Sequence, residues 1–432
     1  MKRASQITAK KCVLPLLLCL YAVLLSPKLL AQTPRFANGV DDATRVLDLI
    51  EQRLAVMPEV AAWKWRAQQP IADPERERQV LDRSVADAEA IGLDGASARD
   101  FFDVQIQMAR AVQAQYFDDW QTENRSPPPG RDLTKQLRPE LDAIGRELLT
   151  AVYLASADLP RALKDTRLLE RLDQLHRFRG VDAAQVSRLH AALAAIHIRD
   201  AATIARVKQV GVLRVGTTGD YAPFSSEQDA VLSGFDIRLA TDLASYLGVS
   251  VRFVRTSWPM LMDDFRQQRF DIAMSGISVT TERATQASFS IAYHVDGKVS
   301  IARCSEAAKF ASLEQIDRQN VRVIENPGGT NERFAREHIK HAALILHTDN
   351  QTIFGELLAG RADVMFTDGI EVDLQVRRHP ALCRTMPLPL TQAQKAILLP
   401  RSGWESDVNT WLTRRLQSGV VGKDLQRALL GQ

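Results

Sequence analysis

The chain has 432 residues, 45% of them hydrophobic and 25% charged, an ordinary globular composition with room for two or three domains. Its formal charge of +3 comes from the first thirty-one residues, which hold Lys2, Arg3, Lys10, Lys11 and Lys28 and no acid; without them the charge is −2. With no basic excess in the remainder and no arginine-aromatic clusters, a nucleic-acid partner is not indicated, and anionic small molecules stay open.

Residues 1–31 read as an export signal: a basic start, then an apolar stretch at 12–25 too short to span a bilayer comfortably, with Ala31 the last residue removed. Leu18 before Cys19 argues against lipid attachment. The expectation is a periplasmic protein with no membrane association after signal removal. Cys12 and Cys19 leave with the signal, so Cys304 and Cys383 remain as an even pair, which in an oxidising compartment suggests one disulfide. Neither sits in a CxxC motif, and the eight histidines lack metal-ligand spacing. No metal and no cofactor are expected.

From about 40 to 200 the text has helical periodicity, as in Val46, Leu47, Ile50 and Leu54, and almost no strand signal. Pro70 and the run at 127–130 are the main breaks. Further helices are predicted at 74–91, 97–119, 132–156, 160–177 and 183–205. In the segment KWRAQQPIADPERERQ (64–79) a lysine ends one helix, a proline turn follows, and Asp73, Arg76 and Glu77 open the next on one face. Arg53 stands eleven residues, about three turns, before Lys64 on the same face. Gln113 and Arg146 fall on two further helices. Singly, each residue reads more readily as solvated surface than as part of a site.

Together they resemble the helical chorismate mutases, specifically the exported single-chain subclass, well over 40–150 and weakly over 150–200. Chorismate is a dianion whose pericyclic rearrangement needs a clamp and donors at the breaking ether oxygen, not a covalent catalyst. The resemblance implies that Arg53 and Arg146 grip the carboxylates and that Lys64 and Gln113 donate to the ether oxygen. Glu77 and Asp73 hold the ring hydroxyl, with Arg76 orienting these acids or touching a carboxylate. Ala109 departs from the pattern, since relatives carry a small hydroxyl residue four before the glutamine. Weaker substrate binding is expected. The disulfide that some relatives carry here is excluded, because 32–303 contains no cysteine.

At Gly211 the pattern changes to short apolar runs, VLRVG (212–216), VRFV (251–254), DIAMSG (271–276) and ADVMFTDG (362–369), alternating with amphipathic stretches. That alternation predicts an α/β domain with parallel strands. The boundary is placed within 204–210. VLRVGTTGDYAPFS followed by GFDIRLATDLASYLG resembles the opening of the two-lobed periplasmic solute-binding fold, over about 206–432. The cleft candidates are SGISVTTER (275–283), with Ser275, Ser278 and Arg283 for a carboxylate, and NPGGTNE (326–332), with Asn326, Gly329, Thr330 and Asn331.

TSWPMLMDDF (256–265), DIAMSGIS, DGK (296–298), NPGGTNE, TDGIE (367–371) and the cysteines in RCSE and ALCR together resemble the periplasmic cyclohexadienyl dehydratases, which act on prephenate or arogenate. Such an enzyme must protonate a leaving hydroxyl while a ring carboxylate departs as carbon dioxide. The resemblance makes Glu371 the acid, Asp220 and Lys298 the flanks of the substrate, and Trp258 the ring wall. Asp368 stands where amino-acid binders pair the ligand ammonium, a role that would admit arogenate as a second substrate. Gly369 reads as unremarkable.

Taken together, the two resemblances imply a multidomain protein: a signal at 1–31, an all-α chorismate mutase domain at 36–200, and an α/β two-lobed dehydratase domain at 206–432. The product of the first site is the substrate of the second. A mutase joined to a non-catalytic amino-acid or keto-acid receptor is the alternative, and a homo-oligomer is left open.

Overall fold

The computed structural model describes residues 33–431, so the signal read at 1–31 lies outside the described residues. Five helices carry the first half: α1 (Gly39–Ala55), α2 (Met57–Arg66), α3 (Pro74–Ala90), α4 (Gly95–Thr122) and α5 (Arg138–Ala155). Helices α1, α3 and α4 start where an acid or amide accepts from a free N–H of the first turn. Asn38 caps α1 (3.0 Å to Val40 N), Asp73 caps α3 (3.1 Å to Arg76 N) and Asp94 caps α4 (2.8 Å to Ser97 N). Their apolar faces, including Val46, Ile50, Phe101, Met108, Leu148 and Val152, close one core.

Three helical expectations need correction. Val56 separates α1 from α2, so Arg53 and Lys64 do not share the face of a continuous helix. The stretch 160–177 breaks into Leu159–Ala162, Thr166–Asp173 and a 3-10 turn at Gln174–Arg177, because Asp165 accepts from Arg167 N (3.0 Å) and starts a new helix. The helix expected at 183–205 stops at Ala195. Beyond it Ile198 bridges to Leu93 and Arg199 N donates to Gly92 O at 2.9 Å, a tertiary pairing that overrides local helix propensity. A short helix, Ile204–Val210, then leads into the second half.

That half folds as two lobes. The first sheet runs Ser250–Arg255, Val212–Thr217, Ile272–Ala273, Leu398–Leu399, Ser288–Phe289. The second runs Ala343–Leu346, Arg322–Glu325, Val364–Asp368, Lys298–Arg303, Leu382–Arg384. The first three strands of each sheet are parallel, but the last two pair antiparallel, so the sheets are mixed and not all-parallel as expected. The cause is the double crossing between lobes: the chain leaves through His294–Asp296 and returns through Ala393–Lys395, an antiparallel pair. On return it must insert against the direction of its neighbours.

The helical half is fixed to the first lobe. Phe36 bridges Phe253, with Ala37 N donating to Phe253 O at 2.8 Å. Tyr153 from α5 covers the buried Arg214–Asp271 pair, its ring 4.7 Å from the Arg214 guanidinium carbon, and Arg269 joins Asp158 at 2.8 Å. Asp42 pairs with Arg252. Among the described residues no helix is long and apolar enough to cross a membrane.

In the second lobe Cys304 and Cys383 are disulfide-bonded where the strands Lys298–Arg303 and Leu382–Arg384 pair, with Cα atoms 4.8 Å apart. The bridge closes a sequence separation of 79 residues. Chain entropy values such a loop at about 4 to 5 kcal/mol. Reducing it, or replacing both cysteines by alanine, is expected to lower the guanidinium unfolding midpoint accordingly; an unchanged midpoint under reductant would contradict the linkage.

Candidate active sites

Between α1, α2, α3, α4 and the start of α5 lies a cavity of about 180 Å³. Arg53 from α1, Lys64 from α2, Arg76 and Glu77 from α3 with its cap Asp73, and Ala109 and Gln113 from α4 line it, the grouping that the sequence predicts. Its five cations, Arg53, Lys64, Arg76, Arg110 and Arg138, outnumber its three acids, Asp73, Glu77 and Asp142. Such a lining favours a multiply charged anion.

The polar groups here are not exhausted by protein contacts. Lys64 Nζ donates to Ile71 O at 2.6 Å; burial lowers its pKa, and Glu77 and Asp73 oppose the shift. Burial also lowers Arg53, against Asp142, and Arg53 Nε has no partner. Gln113 Nε2 donates back to Ala109 O at 3.1 Å, while its buried Oε1 has no partner. Unmatched buried polar atoms cost about 1–3 kcal/mol each, a cost that a polar ligand relieves.

Arg146 is a correction: it is exposed and lies outside the cavity. Arg138 stands there instead, opening α5 directly after the five-residue π turn Leu133–Leu137. A helical-wheel spacing has no means of showing that shift. Arg110 and Asp142 were also missed, and each is only one charged residue among many on its helix.

The second site is the closed cleft between the lobes, with about 20 Å³ of free space. Trp258, Ser278, Arg283, Asn326, Gly329, Thr330, Asn331 and Asp368 line it as expected, joined by Tyr221, Gly276, Asn350 and Lys395, which sequence reasoning missed. Four expected residues are set back from the lining. Ser275 Oγ instead ties Thr218 (2.8 Å) to Ser225 (2.7 Å) behind the wall. Burial raises Asp220, opposed by hydrogen bonds from Thr218 and Trp258. Lys298 holds Asp368 at 2.7 Å and also contacts Asn331. Glu371, only 2% exposed, accepts from Thr367 Oγ1.

Two acids three residues apart thus have opposite states. Burial alone would raise Asp368, but Lys298 and Lys395, one on each carboxylate oxygen, hold it far below the usual carboxylate range. Glu371 has no lysine within hydrogen-bond reach, so burial, with help from Asp368 and against the Thr367 bond, pushes it up to about 8. Its helix, Gly369–Arg378, is anchored by Asp296, which accepts from Gly369 N (3.1 Å) and Ile370 N (2.7 Å). Gly369 is therefore not unremarkable, because a Cβ there would lie 2.8 Å from Asp296 Oδ1. Glu325, wholly buried in the same lobe, is also raised well above the ordinary range by burial.

These features define a protein with a cation-rich helical cavity joined to a two-lobed solute-binding fold, with an acid whose pKa burial raises set just behind the cleft. Residues 41–114 match the family model for chorismate mutase type II, and 213–420 that for bacterial extracellular solute-binding proteins, family 3. The chain is 50% identical over 227 residues to a cyclohexadienyl dehydratase of Pseudomonas aeruginosa, covering 52% of this chain and 85% of that protein. It is 31% identical over 149 residues to a secreted chorismate mutase of Mycobacterium tuberculosis, covering 32% of this chain and 75% of that one. An ancestral amino acid-binding protein described as a precursor of cyclohexadienyl dehydratase superposes with a TM-score of 0.50 at 31% identity, over 53% of this chain and all of that one. The chain belongs to the secreted chorismate mutases through its helical half and to the cyclohexadienyl dehydratases through its α/β half.

A buried acid with a raised pKa favours the folded state while it keeps its proton, and that contribution is lost as pH rises through the folded value. For Glu371 the window runs from its ordinary value of 4.5 up to about 8. The stability of wild type relative to Glu371→Gln should therefore fall by about 1–4 kcal/mol between pH 5 and pH 8.5. A difference that stays flat with pH in urea titrations would contradict the buried, protonated state.

Proposed function

We propose that this is a bifunctional enzyme, which converts chorismate to prephenate in the helical cavity and prephenate to phenylpyruvate in the cleft. The observation that carries the reading is the pairing of sites: a cationic pocket with unmatched buried polar atoms, and a cleft backed by a buried carboxyl with a raised pKa, in a chain whose halves match a mutase and a dehydratase. In the first site Arg53 and Arg138 clamp the two carboxylates, with Arg138 in the place read for Arg146. Lys64 leaves the Ile71 carbonyl, and Gln113 turns its amide, so that both donate to the breaking ether oxygen. Glu77 and Asp73 take the ring hydroxyl, and Arg76 keeps them oriented.

In the second site Arg283, Thr330 and the backbone at Gly329 receive a carboxylate, and Trp258 walls the ring. Glu371 gives its proton to the ring hydroxyl, which leaves as water. The electrons of the breaking bond to the ring carboxylate complete the aromatic ring, and that carboxylate departs as carbon dioxide. The balance needs no external oxidant or reductant. A receptor would have no use for a protonated acid held in this place. The mature chain, starting after Ala31, acts in the periplasm, a placement supported by its disulfide and its secreted relative.

Lys64→Ala tests the division of labour. Losing one donor to a developing oxyanion costs about 2.7–4 kcal/mol, so chorismate conversion should fall roughly 100- to 1000-fold. Phenylpyruvate formation from supplied prephenate, followed by its ultraviolet absorbance, should stay near wild type. A parallel loss of both activities in folded protein would overturn the two-site assignment.

A further inference from the structure

One cation of the helical cavity has no part in the proposed rearrangement. Arg53, Lys64, Arg76 and Arg138 have roles there, and Arg110 is the fifth. It lies on α4 one residue after Ala109, and both residues line the cavity of about 180 Å³. Arg110 also lines an adjoining cavity of about 740 Å³, which shares Ile71, Glu77 and Ile106 with the first, so it belongs to the wall between the two. Its charge is felt on the mutase side. The Lys64 pKa is lowered by burial first, against Glu77 and Asp73, and then by Arg138 and Arg110.

The guanidinium is only loosely held by the protein. Glu77 Oε2 stands 3.5 Å from Arg110 Nη1, whereas Arg131 meets Glu59 at 2.7 Å and Arg171 meets Asp48 at 2.8 Å. Charge-assisted hydrogen bonds ordinarily span about 2.7–2.9 Å, so the Arg110–Glu77 pair is an attraction without a close bond. With the arginine side chain 49% exposed, such a pair costs little to give up.

We propose that Arg110 is a further substrate-binding residue of the helical site, donating to the chorismate carboxylate that faces Ala109, where a hydroxyl side chain would otherwise donate. The inference rests on the mutase reading of the cavity. The methyl group of Ala109 offers a carboxylate no donor, and the next residue along the helix carries five N–H donors in a planar fork that matches two carboxylate oxygens. Its long, flexible stem lets that fork reach the space beside residue 109. Turning from Glu77 to the substrate also frees Glu77 to accept from the ring hydroxyl. The weaker binding that Ala109 alone predicts is thereby offset from the adjacent position.

Chorismate kinetics test this in a double-mutant cycle of Arg110→Met and Ala109→Thr, with circular dichroism melts checking that each variant is folded. Arg110→Met should raise KM roughly tenfold and keep kcat within about threefold of wild type, as happens when a contact made equally in bound substrate and transition state is lost. Ala109→Thr should lower KM by less than about threefold when Arg110 is present, and by more than that in the Arg110→Met background. An unchanged KM in Arg110→Met, or the same gain from Ala109→Thr in both backgrounds, would overturn the inference. So would a loss confined to kcat, which would assign Arg110 to holding Glu77 instead. Wild-type protein that leaves chorismate unconverted would overturn the mutase reading, and the inference with it. Should Arg110→Met not fold, Ala109→Thr alone decides, because a gain above about threefold would mean that Arg110 does not already serve that carboxylate.

Discussion

Two carboxyl groups buried side by side cannot both ionise unless cations are supplied to both, and here the cations go to one. Asp368 takes Lys298 and Lys395, one per oxygen, while Glu371 has only the Thr367 hydroxyl. One acid is therefore a fixed carboxylate and the other keeps a proton near neutral pH. The remaining geometry serves this division. The antiparallel pairing of Val364–Asp368 with Lys298–Arg303 sets Lys298 opposite Asp368, the returning strand brings Lys395 across from the other side, and Asp296 pins the helix that carries Glu371.

The helical half meets a different demand. Its chemistry needs no proton transfer from the protein, only a clamp and donors, and it holds these with excess positive charge and unmatched polar atoms instead of a shifted acid. It is tied to the first lobe alone: among the described residues no hydrogen bond or ion pair joins it to the lobe that carries Glu371 and the disulfide. The strands His294–Asp296 and Ala393–Lys395 that join the two lobes take no part in lining the helical cavity.

Much of this was legible in the sequence, where local rules carry the information. The helical period of residues 40–155, the helix opening at Asp73, and the grouping of Lys64, Asp73, Arg76 and Glu77 follow from short-range spacing. What was missed depends on register or on distant partners. Arg138 is brought in by a π turn, and the helix at Ala183 ends early because Ile198 pairs with Leu93 across the fold. Lys395 sits in a three-residue strand whose importance comes from Ser278 and Asp368, 117 and 27 positions away. A glutamate at a helix start ordinarily faces solvent, so Glu371 was singled out by resemblance, and only the packing shows why it stays protonated.

The central claim is that Glu371 delivers the proton for the second reaction, and one variant tests it most directly. Glu371→Gln keeps the shape of the side chain and a hydrogen-bond donor but has no proton to give, and general-acid catalysis contributes roughly 10²- to 10⁴-fold in rate. Supplied with chorismate, the variant should consume it at the wild-type rate and accumulate prephenate, with phenylpyruvate formation at least ~100-fold slower. Phenylpyruvate appearing at close to the wild-type rate would contradict the account.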